Sequence, residues 1–540
     1  MSISLLGLDV LGGHGISIEY SYLGAAVGIL VSVASSLRWL RVAQREHYIP
    51  GYTSRFAVRW FSDWQRPINP VFALASLLAT LLAVAKPSDL SYSGVGLIVV
   101  VICQLVAPYG LRYKGSTSPL RFTRRLAILA AVSWFLDAVF LAIGALLGWG
   151  ITFAAIAIYL VPPTIDLALL LTIPIERRNL AKFVSSAERK LAKVSPRVVA
   201  ITGSFGKTST KTYLAHILSS TYFTLASPAS FNNRAGLART INELLTPGTE
   251  VFIAEMGTFG KGEIKDLCRW IPPEISAITA IGPVHLERFG SEDAILEAKS
   301  EITEKAEIIA LNVDDFRLSD FSHRMEQQGK KVWRVSGQDI QADVAVKDDD
   351  EGNLIVYFNQ RRLGSMPDID ISRTNLGIAV AIALELGVPE STIGELLPTT
   401  PVAKNRLNIV STESGLVVLD DTYNSNPSGA RLALKALERR KSPQSRSVLV
   451  TPGMIEMGPR QFVENSQFAK TAAMVVTDFI IVGYTNRKAL LHGLSKAKEE
   501  GYEVNLVLVD SRPQAVDWVR SNLVSGDSVL YENDLPDHFL

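Results

Sequence analysis

Four nearly uncharged stretches, residues 20–37, 67–85, 90–111 and 126–175, occupy most of the first third of this 540-residue chain. They leave few structural options, because about 20 apolar residues wound as a helix match the hydrocarbon thickness of a bilayer. The first three suit one span each. The fourth is long enough for two, and Gly148, Trp149 and Gly150 mark where the helices would part. The reading is an α-helical membrane region over residues 1–175 with five spans, an odd number that puts the chain ends on opposite sides. The alternative is a set of buried core helices in a soluble protein.

Basic residues orient the spans, since cytoplasmic loops collect lysine and arginine. Arg38, Arg41, Arg45, Arg55, Arg59 and Arg66 follow the first stretch, and Arg112, Lys114, Arg121, Arg124 and Arg125 follow the third. The link KPSDL at 86–90 is nearly bare, while Arg177, Arg178 and Lys182 open the segment after the fifth span. All agree on an outside N-terminus, a multi-pass cell membrane protein, and residues 176–540 in the cytoplasm. The opening MSISLLGLDVLGGHGISIEY has no basic n-region or small-residue cleavage site, so it does not read as a removable signal peptide. Asp137 and Asp166 fall inside spans four and five, where a carboxylate is costly. Each is either functional or a partnered group that locks helices. Pro162 and Pro163 would kink span five, opening a lipid-facing groove or ending the helix early.

Charge is ordinary after residue 175. Over the whole chain 54 lysines and arginines nearly cancel 53 acidic residues, which argues against a nucleic-acid partner. Cys103 and Cys268 make neither a disulfide framework nor a zinc-binding CxxC spacing. Beyond residue 195 apolar runs of strand length alternate with helical periods, the pattern of layered α/β domains. VVAI at 198–201, LVVL at 416–419 and SVLV at 447–450 are strand candidates. The proline-bearing TTPVAKNR at 399–406 separates two such units, giving domains over 1–175, 176–398 and 399–540.

In VVAITGSFGKTSTKTYLAHIL a strand candidate enters a glycine loop and then a helix, where backbone N–H groups and a helix N-terminus can hold phosphate oxygens. Gly203 and Gly206 permit the tight turn, Lys207 offers a cation to the β and γ phosphates, and the Thr208 hydroxyl can hold Mg²⁺. Gly203, Ser204, Phe205, Gly206, Lys207, Thr208 and Ser209 are thus the expected ATP loop. Its glycines stand three apart, unlike the general GxxxxGK[ST] pattern.

GSFGKTS resembles the Mur ligase family, ATP-dependent enzymes that join a carboxylate to an amine in cell-wall precursor synthesis. AEMGTFGKGEI at 254–264, ITAIGPVHLERFGSEDAILEAKSEI at 278–302, LNVDD at 311–315 and DDTYNSNPSG at 420–429 follow in family order. They look like the branch that attaches D-alanyl-D-alanine to the muramoyl tripeptide. The resemblance covers about residue 195 onward and implies a central P-loop ATPase domain and a Rossmann-like C-terminal domain. It also implies two Mg²⁺ sites, one at Thr208 and Glu255 and one at His285 and an N-carboxylated Lys299. Asn312 would approach adenine, Arg406 the γ-phosphate and Asp421 the ribose, while Asn232, Asn233, Asn424 and Asn426 would lie near substrate. Each has a plainer reading: a loop carboxylate for Glu255, a turn histidine for His285, a solvated lysine for Lys299, and a helix cap for Asp421.

That chemistry suits the loop. A carboxylate couples to an amine only after activation, and phosphoryl transfer from ATP makes the acyl phosphate that an amine can attack. Expected partners are ATP, Mg²⁺, a UDP- or lipid-linked muramoyl peptide, an amino acid or dipeptide, and membrane lipid. Three departures stand out. The family's soluble UDP-gripping domain has no counterpart, so the membrane region either tethers the ligase or presents a lipid-linked acceptor. YENDLPDHF at 531–539 replaces a KGS-type ending, and TPGMIEMGPRQFVEN at 451–465 keeps the family's glycine and EMG but lacks the histidine that often follows. Other readings are a ligase making poly-γ-glutamate or an amidated lipid-linked precursor, a P-loop transporter ATPase, or a nucleotide-sensing scaffold. No LSGGQ-like segment supports the transporter.

Overall fold

The computed structural model describes residues 18–535 and 539, apart from 65, 112–118, 230, 369, 402–406, 413, 423–425 and 443. One unit comprises Met1–Asn179 with Leu535–Leu540, and a second comprises Leu180–Asp534. The helices α1 (Ile18–Arg45), α2 (Tyr52–Phe61), α3 (Ile68–Ala85), α4 (Leu90–Val106), α5 (Arg124–Leu146), α6 (Gly150–Tyr159) and α7 (Val161–Val194) come first. Burial in α3 is inverted relative to a helix that faces water. Ser76, Ala79, Thr80 and Ala83 are buried, whereas Val71, Leu74, Leu78 and Leu81 are exposed. Small and polar groups face neighbouring helices, as they do in bilayer bundles, and Gln104 donates to the Ser76 hydroxyl at 3.2 Å.

Three helices, α1, α3 and α5, are long and apolar enough to cross a membrane. The apolar α4 has 17 residues, about 26 Å of helix against roughly 30 Å of hydrocarbon. The expected fifth span is not one rod, because α6 and α7 meet at a 76° bend. By length and composition the described helices therefore give three spans, or four with the bent pair counted as one, and a fifth is reached only if the shorter α4 is counted as well. Pro162 and Pro163 explain the bend. They sit in the first turn of α7, where an N–H is dispensable, but they cannot extend α6.

Asp166 accepts hydrogen bonds from the N–H groups of Thr53 and Ser54 at 3.3 and 2.8 Å and from the Ser54 hydroxyl at 2.5 Å. It caps the start of α2 from another helix, which is the locking role. Arg38 complements it by donating to the Leu105 and Ala107 carbonyls at the end of α4, where a helix carries partial negative charge. Asp137 is buried on α5 and makes no hydrogen bond among the described residues.

In the second unit, β1 (Arg197–Thr202), β2 (Thr224–Ala226), β3 (Val251–Glu255), β4 (Ile275–Ile278), β5 (Ile308–Asn312), β6 (Lys331–Ser336), β7 (Val344–Asp348), β8 (Asn353–Phe358) and β9 (Arg361–Pro367) build one sheet. Their order is β2-β3-β1-β4-β5-β6-β7-β8-β9. Strands β2 to β7 along that order pair in parallel with β1 among them, and β8 and β9 close the edge antiparallel. VVAI is apolar without alternation because both sheet faces are covered. Val199 and Ile201 join the core under α8 (Lys207–Leu218), and Val198 and Ala200 join the core on the other face. The second sheet contains β10 (Asn408–Ser411), β11 (Val417–Asp421), β12 (Ser447–Thr451), β13 (Asp478–Val482), β14 (Asn505–Val509) and β15 (Ser528–Glu532). Its order is β10-β11-β15-β12-β13-β14, parallel except for β10. Thr202, Glu255 and Asn312 end strands of the first sheet, and Asp421, Thr451 and Glu532 end strands of the second. Parallel sheets bind ligands at such carboxyl ends.

Candidate active site

The glycine loop leaves β1 and enters α8 through Gly206, whose φ of 86° lies in the left-handed region. A Cβ on Gly203 would lie 2.0 Å from the Thr279 hydroxyl. That hydroxyl donates to the Thr202 and Phe205 carbonyls, so it pins the loop to β4. Ser204 pairs with both the N–H and the carbonyl of Gly282. Lys207 Nζ donates to the Gly203 carbonyl at 2.7 Å, across the mouth of the loop. The side chain of Asn375 lies against Gly206, where a Cβ would meet its Oδ1 at 2.4 Å. Ser209 follows in the first turn of α8. Backbone donors, a helix N-terminus and an ammonium therefore converge on one cradle, a fit for phosphate.

Behind the cradle a carboxylate collects cationic and neutral donors. Glu255 Oε2 accepts from the Thr208 hydroxyl at 3.0 Å and from Lys211 Nζ at 2.8 Å, and Oε1 accepts from the Asn232 amide at 3.1 Å. Burial raises the proton affinity of Glu255, but the Lys211 and Lys207 charges and the Lys211 and Asn232 hydrogen bonds outweigh it and hold the carboxyl below its ordinary value. Lys299, buried at the end of Glu292–Ser300, is held well below the usual lysine range by burial and by the like charge of Lys207. Glu255 and Thr208 together are hard oxygen donors that suit Mg²⁺, which commonly keeps water and phosphate oxygens in its shell. Among the described residues no three His, Cys, Asp or Glu side chains converge as a metal cluster.

The other expected residues that are described have partners of their own. His285 has φ 59° and bonds through Nδ1 to Glu456 of the second sheet's domain, not to Glu255, Thr208 or Lys299. Asn312 donates to the Thr279 carbonyl at 3.1 Å and accepts from the Asp314 N–H. Asp421 is buried and accepts from the Leu407 N–H at 3.3 Å. Asn233 and Asn426 cap the helices Arg234–Leu244 and Pro427–Glu438. Arg406 and Asn424 lie outside the described residues. A cleft of about 300 Å³ runs between the loop and the start of Pro427–Glu438, lined by Phe205, Gly282, Arg317, Pro427, Arg431 and Arg460.

Three important side chains escaped the sequence reading, Lys211, Thr279 and Glu532, and Glu456 stood in it only as part of the family-like EMG at 456–458. Lys211 alone had a local signal, since it stands one helical turn from Lys207. Glu532 is fully buried. Its Oε2 accepts from the Thr451 hydroxyl at 2.6 Å, and its Oε1 has no partner among the described residues. Burial pushes this carboxyl up to about 8, against the Thr451 hydrogen bond and with help from the charge of Asp421. The unfolded group titrates near 4.5. Between those values the unfolded chain has released a proton that the folded one retains, so stability falls as pH rises by up to ~1.4 kcal/mol per pH unit. Glu532→Gln has no proton to lose. Its stability relative to the parent should climb from pH 5 to pH 8 in thermal unfolding of the C-terminal domain, and a flat difference would contradict this.

A strand–glycine loop–helix with a buried carboxylate behind it, facing a second parallel sheet, defines a two-domain nucleotide-using enzyme. The Mur ligase middle domain model matches residues 201–366, and the Mur ligase, glutamate ligase domain model matches residues 405–531. Through these domains the chain belongs to the Mur ligase family and is an ATP-dependent ligase. The UDP-N-acetylmuramoyl-tripeptide--D-alanyl-D-alanine ligase of Mycobacterium tuberculosis is 29% identical over 374 residues, covering 65% of this chain and 73% of that protein. The enzyme of the same name from Bacillus subtilis is 26% identical over 353 residues, covering 64% and 75%. The fold is that of MurF from Acinetobacter baumannii, with TM-score 0.56 and 24% identity over 66% of this chain and 77% of that one. MurF from Thermotoga maritima in complex with ADP gives 0.54 and 24%, covering 66% and 80%.

Proposed function

We propose that this chain activates a carboxylate as an acyl phosphate and couples it to an amino acid or dipeptide in peptidoglycan precursor synthesis, on a membrane-associated acceptor. The observation that carries the reading is the Thr208–Glu255 pair held directly behind the Lys207 loop. The loop amides from Gly203 to Ser209 and Lys207 grip the ATP phosphates, and Asn312, Asp421 and Arg406 would serve the base, ribose and γ-phosphate. A carboxylate oxygen of the acceptor attacks the γ-phosphorus and ADP leaves. The amine then attacks the acyl carbon, phosphate leaves, and the amine's proton passes to solvent. Mg²⁺ at Thr208 and Glu255, and a second ion at His285 and Lys299, would neutralise the converging anions. The buried amine of Lys299 is suited to carry a carboxyl group, since its depressed proton affinity favours the neutral nucleophile that adds CO₂ and loses a proton. Asn232, Asn233, Asn424 and Asn426 would border the substrates.

The outward leucines of α3 support a bilayer location; in this reading the shorter α4 counts as a span, the bent pair forms the fifth, and the catalytic domains over 176–398 and 399–540 lie in the cytoplasm. The helix-flanked parallel strands of the second sheet support a Rossmann-like domain. A membrane region of several helices exceeds what a tether requires, which favours presentation of a lipid-linked acceptor. A second reading, a Mur-like ligase for an amidated lipid-linked precursor or poly-γ-glutamate, draws on Glu532 where the branch ends in a KGS-type motif.

The test is ADP release by the full chain in detergent. UDP-muramoyl tripeptide is compared with its lipid-linked form, and D-alanyl-D-alanine with other amines. The lipid-linked form should stimulate turnover more. Stimulation by neither acceptor would remove the cell-wall reading, and a preference for the soluble one would leave the membrane region as a tether.

A further inference from the structure

Glu456 and His285 meet across the two α/β domains, and both occupy backbone conformations that a side chain disfavours. Glu456, in the loop after β12, has φ 63°, and His285, after β4, has φ 59°. Left-handed non-glycine residues persist where surrounding contacts hold them, often at functional sites. The loop of Glu456 is seated on the turn that follows His285, where a Cβ on Gly458 would lie 3.4 Å from the Glu287 nitrogen. Glu456 Oε2 bonds to His285 Nδ1, and Oε1 lies 3.8 Å from the Arg288 guanidinium. The Phe259 ring stands edge-on to the imidazole with centroids 5.2 Å apart, and Arg288 lies over the same ring at 4.6 Å. The imidazole is thus held between Glu456 and Phe259, and Arg288 braces both of these partners.

A carboxylate only accepts hydrogen bonds, so Nδ1 carries the hydrogen and the lone pair of the neutral ring lies on Nε2. That is the form in which an imidazole binds a divalent cation, with the carboxylate fixing tautomer and orientation from behind. We propose that Glu456 is a positioning residue for the second cation site, holding His285 ready to bind Mg²⁺ only when the C-terminal domain rests on the central one. The inference rests on the reading of His285 as a cation ligand. It adds that closure of the two domains assembles the site, so the cation and the closed state stabilise each other.

The test is Mn²⁺ titration of the full chain in detergent with ADP, followed by the electron paramagnetic resonance of free Mn²⁺, together with ¹⁵N shifts of the His285 ring. Glu456→Ala should weaken one Mn²⁺ equivalent about 10- to 100-fold and mix the ring tautomers. Glu456→Gln keeps an accepting oxygen and should retain most of the affinity. Glu456→Gly relieves the left-handed backbone, so it should melt no lower than the parent and still lose Mn²⁺ as the alanine variant does. That separates the site from folding. Unchanged Mn²⁺ affinity in Glu456→Ala overturns the proposal, as does a Gln variant that behaves like Ala, which would mark a plain ion pair. If His285→Ala also binds Mn²⁺ like the parent, the ligand reading falls with it; if His285→Ala alone weakens binding, only the proposal falls.

Discussion

Lys207→Met should lower ATP turnover by about 10³-fold while leaving the melting temperature nearly unchanged. The ammonium lies at the loop mouth, bonded to the Gly203 carbonyl, and the backbone donors that shape the cradle do not depend on it. Its loss removes a positive side chain positioned at the loop mouth to follow charge onto the transferring phosphoryl group. The same change removes the like charge that depresses Lys299, so the proton affinity of Lys299 should rise toward its usual range. Single-turnover ADP formation measures the first effect. Turnover within tenfold of the parent would show that the loop does not work as assigned.

Lys211→Met should be the most destabilising single change near the site. Lys211 and Glu255 form an ion pair in which the side chains are 5% and 1% exposed. Removing the cation leaves a buried carboxylate with Thr208, Asn232 and the more distant Lys207 charge, a loss of roughly 3–5 kcal/mol for a broken buried pair. In a domain of this size that corresponds to about 10 °C in the unfolding transition. Adding Glu255→Gln to the lysine variant removes the stranded charge and should recover much of the loss, with a coupling that a double-mutant cycle reads directly. Mg²⁺ with ATP should also restore part of the stability of the single variant, by offering the carboxylate another cation. A single variant that melts with the parent would mean that the pair is not buried as described.

Much of the site was legible because its geometry is local. In ITGSFGKTST the strand, the turn and the helix start lie within ten residues, so backbone chemistry alone places the phosphate donors. The apolar stretches were equally readable, and the prolines at 162 and 163 announced a bend, although the spacing did not show that α4 stops short of a full span. Harder to read were the partners. Glu255 stood out at the end of an apolar strand, but its bond to Lys211 joins positions 44 apart in the chain. His285 looked like a ligand or a turn histidine, and nothing near it named Glu456, 171 positions away. Glu532 read only as a departure from a family ending, because its burial depends on β11, β12 and β15 lying side by side.

Order along the chain was therefore enough for helices, strands, the phosphate loop and the ligase family, since each follows from the spacing of neighbours and from turn chemistry. Which charges meet was settled only when two parallel sheets brought distant strand ends together. Pairing energies depend on separation and on exclusion of water, and neither quantity is written in the spacing of residues along a chain.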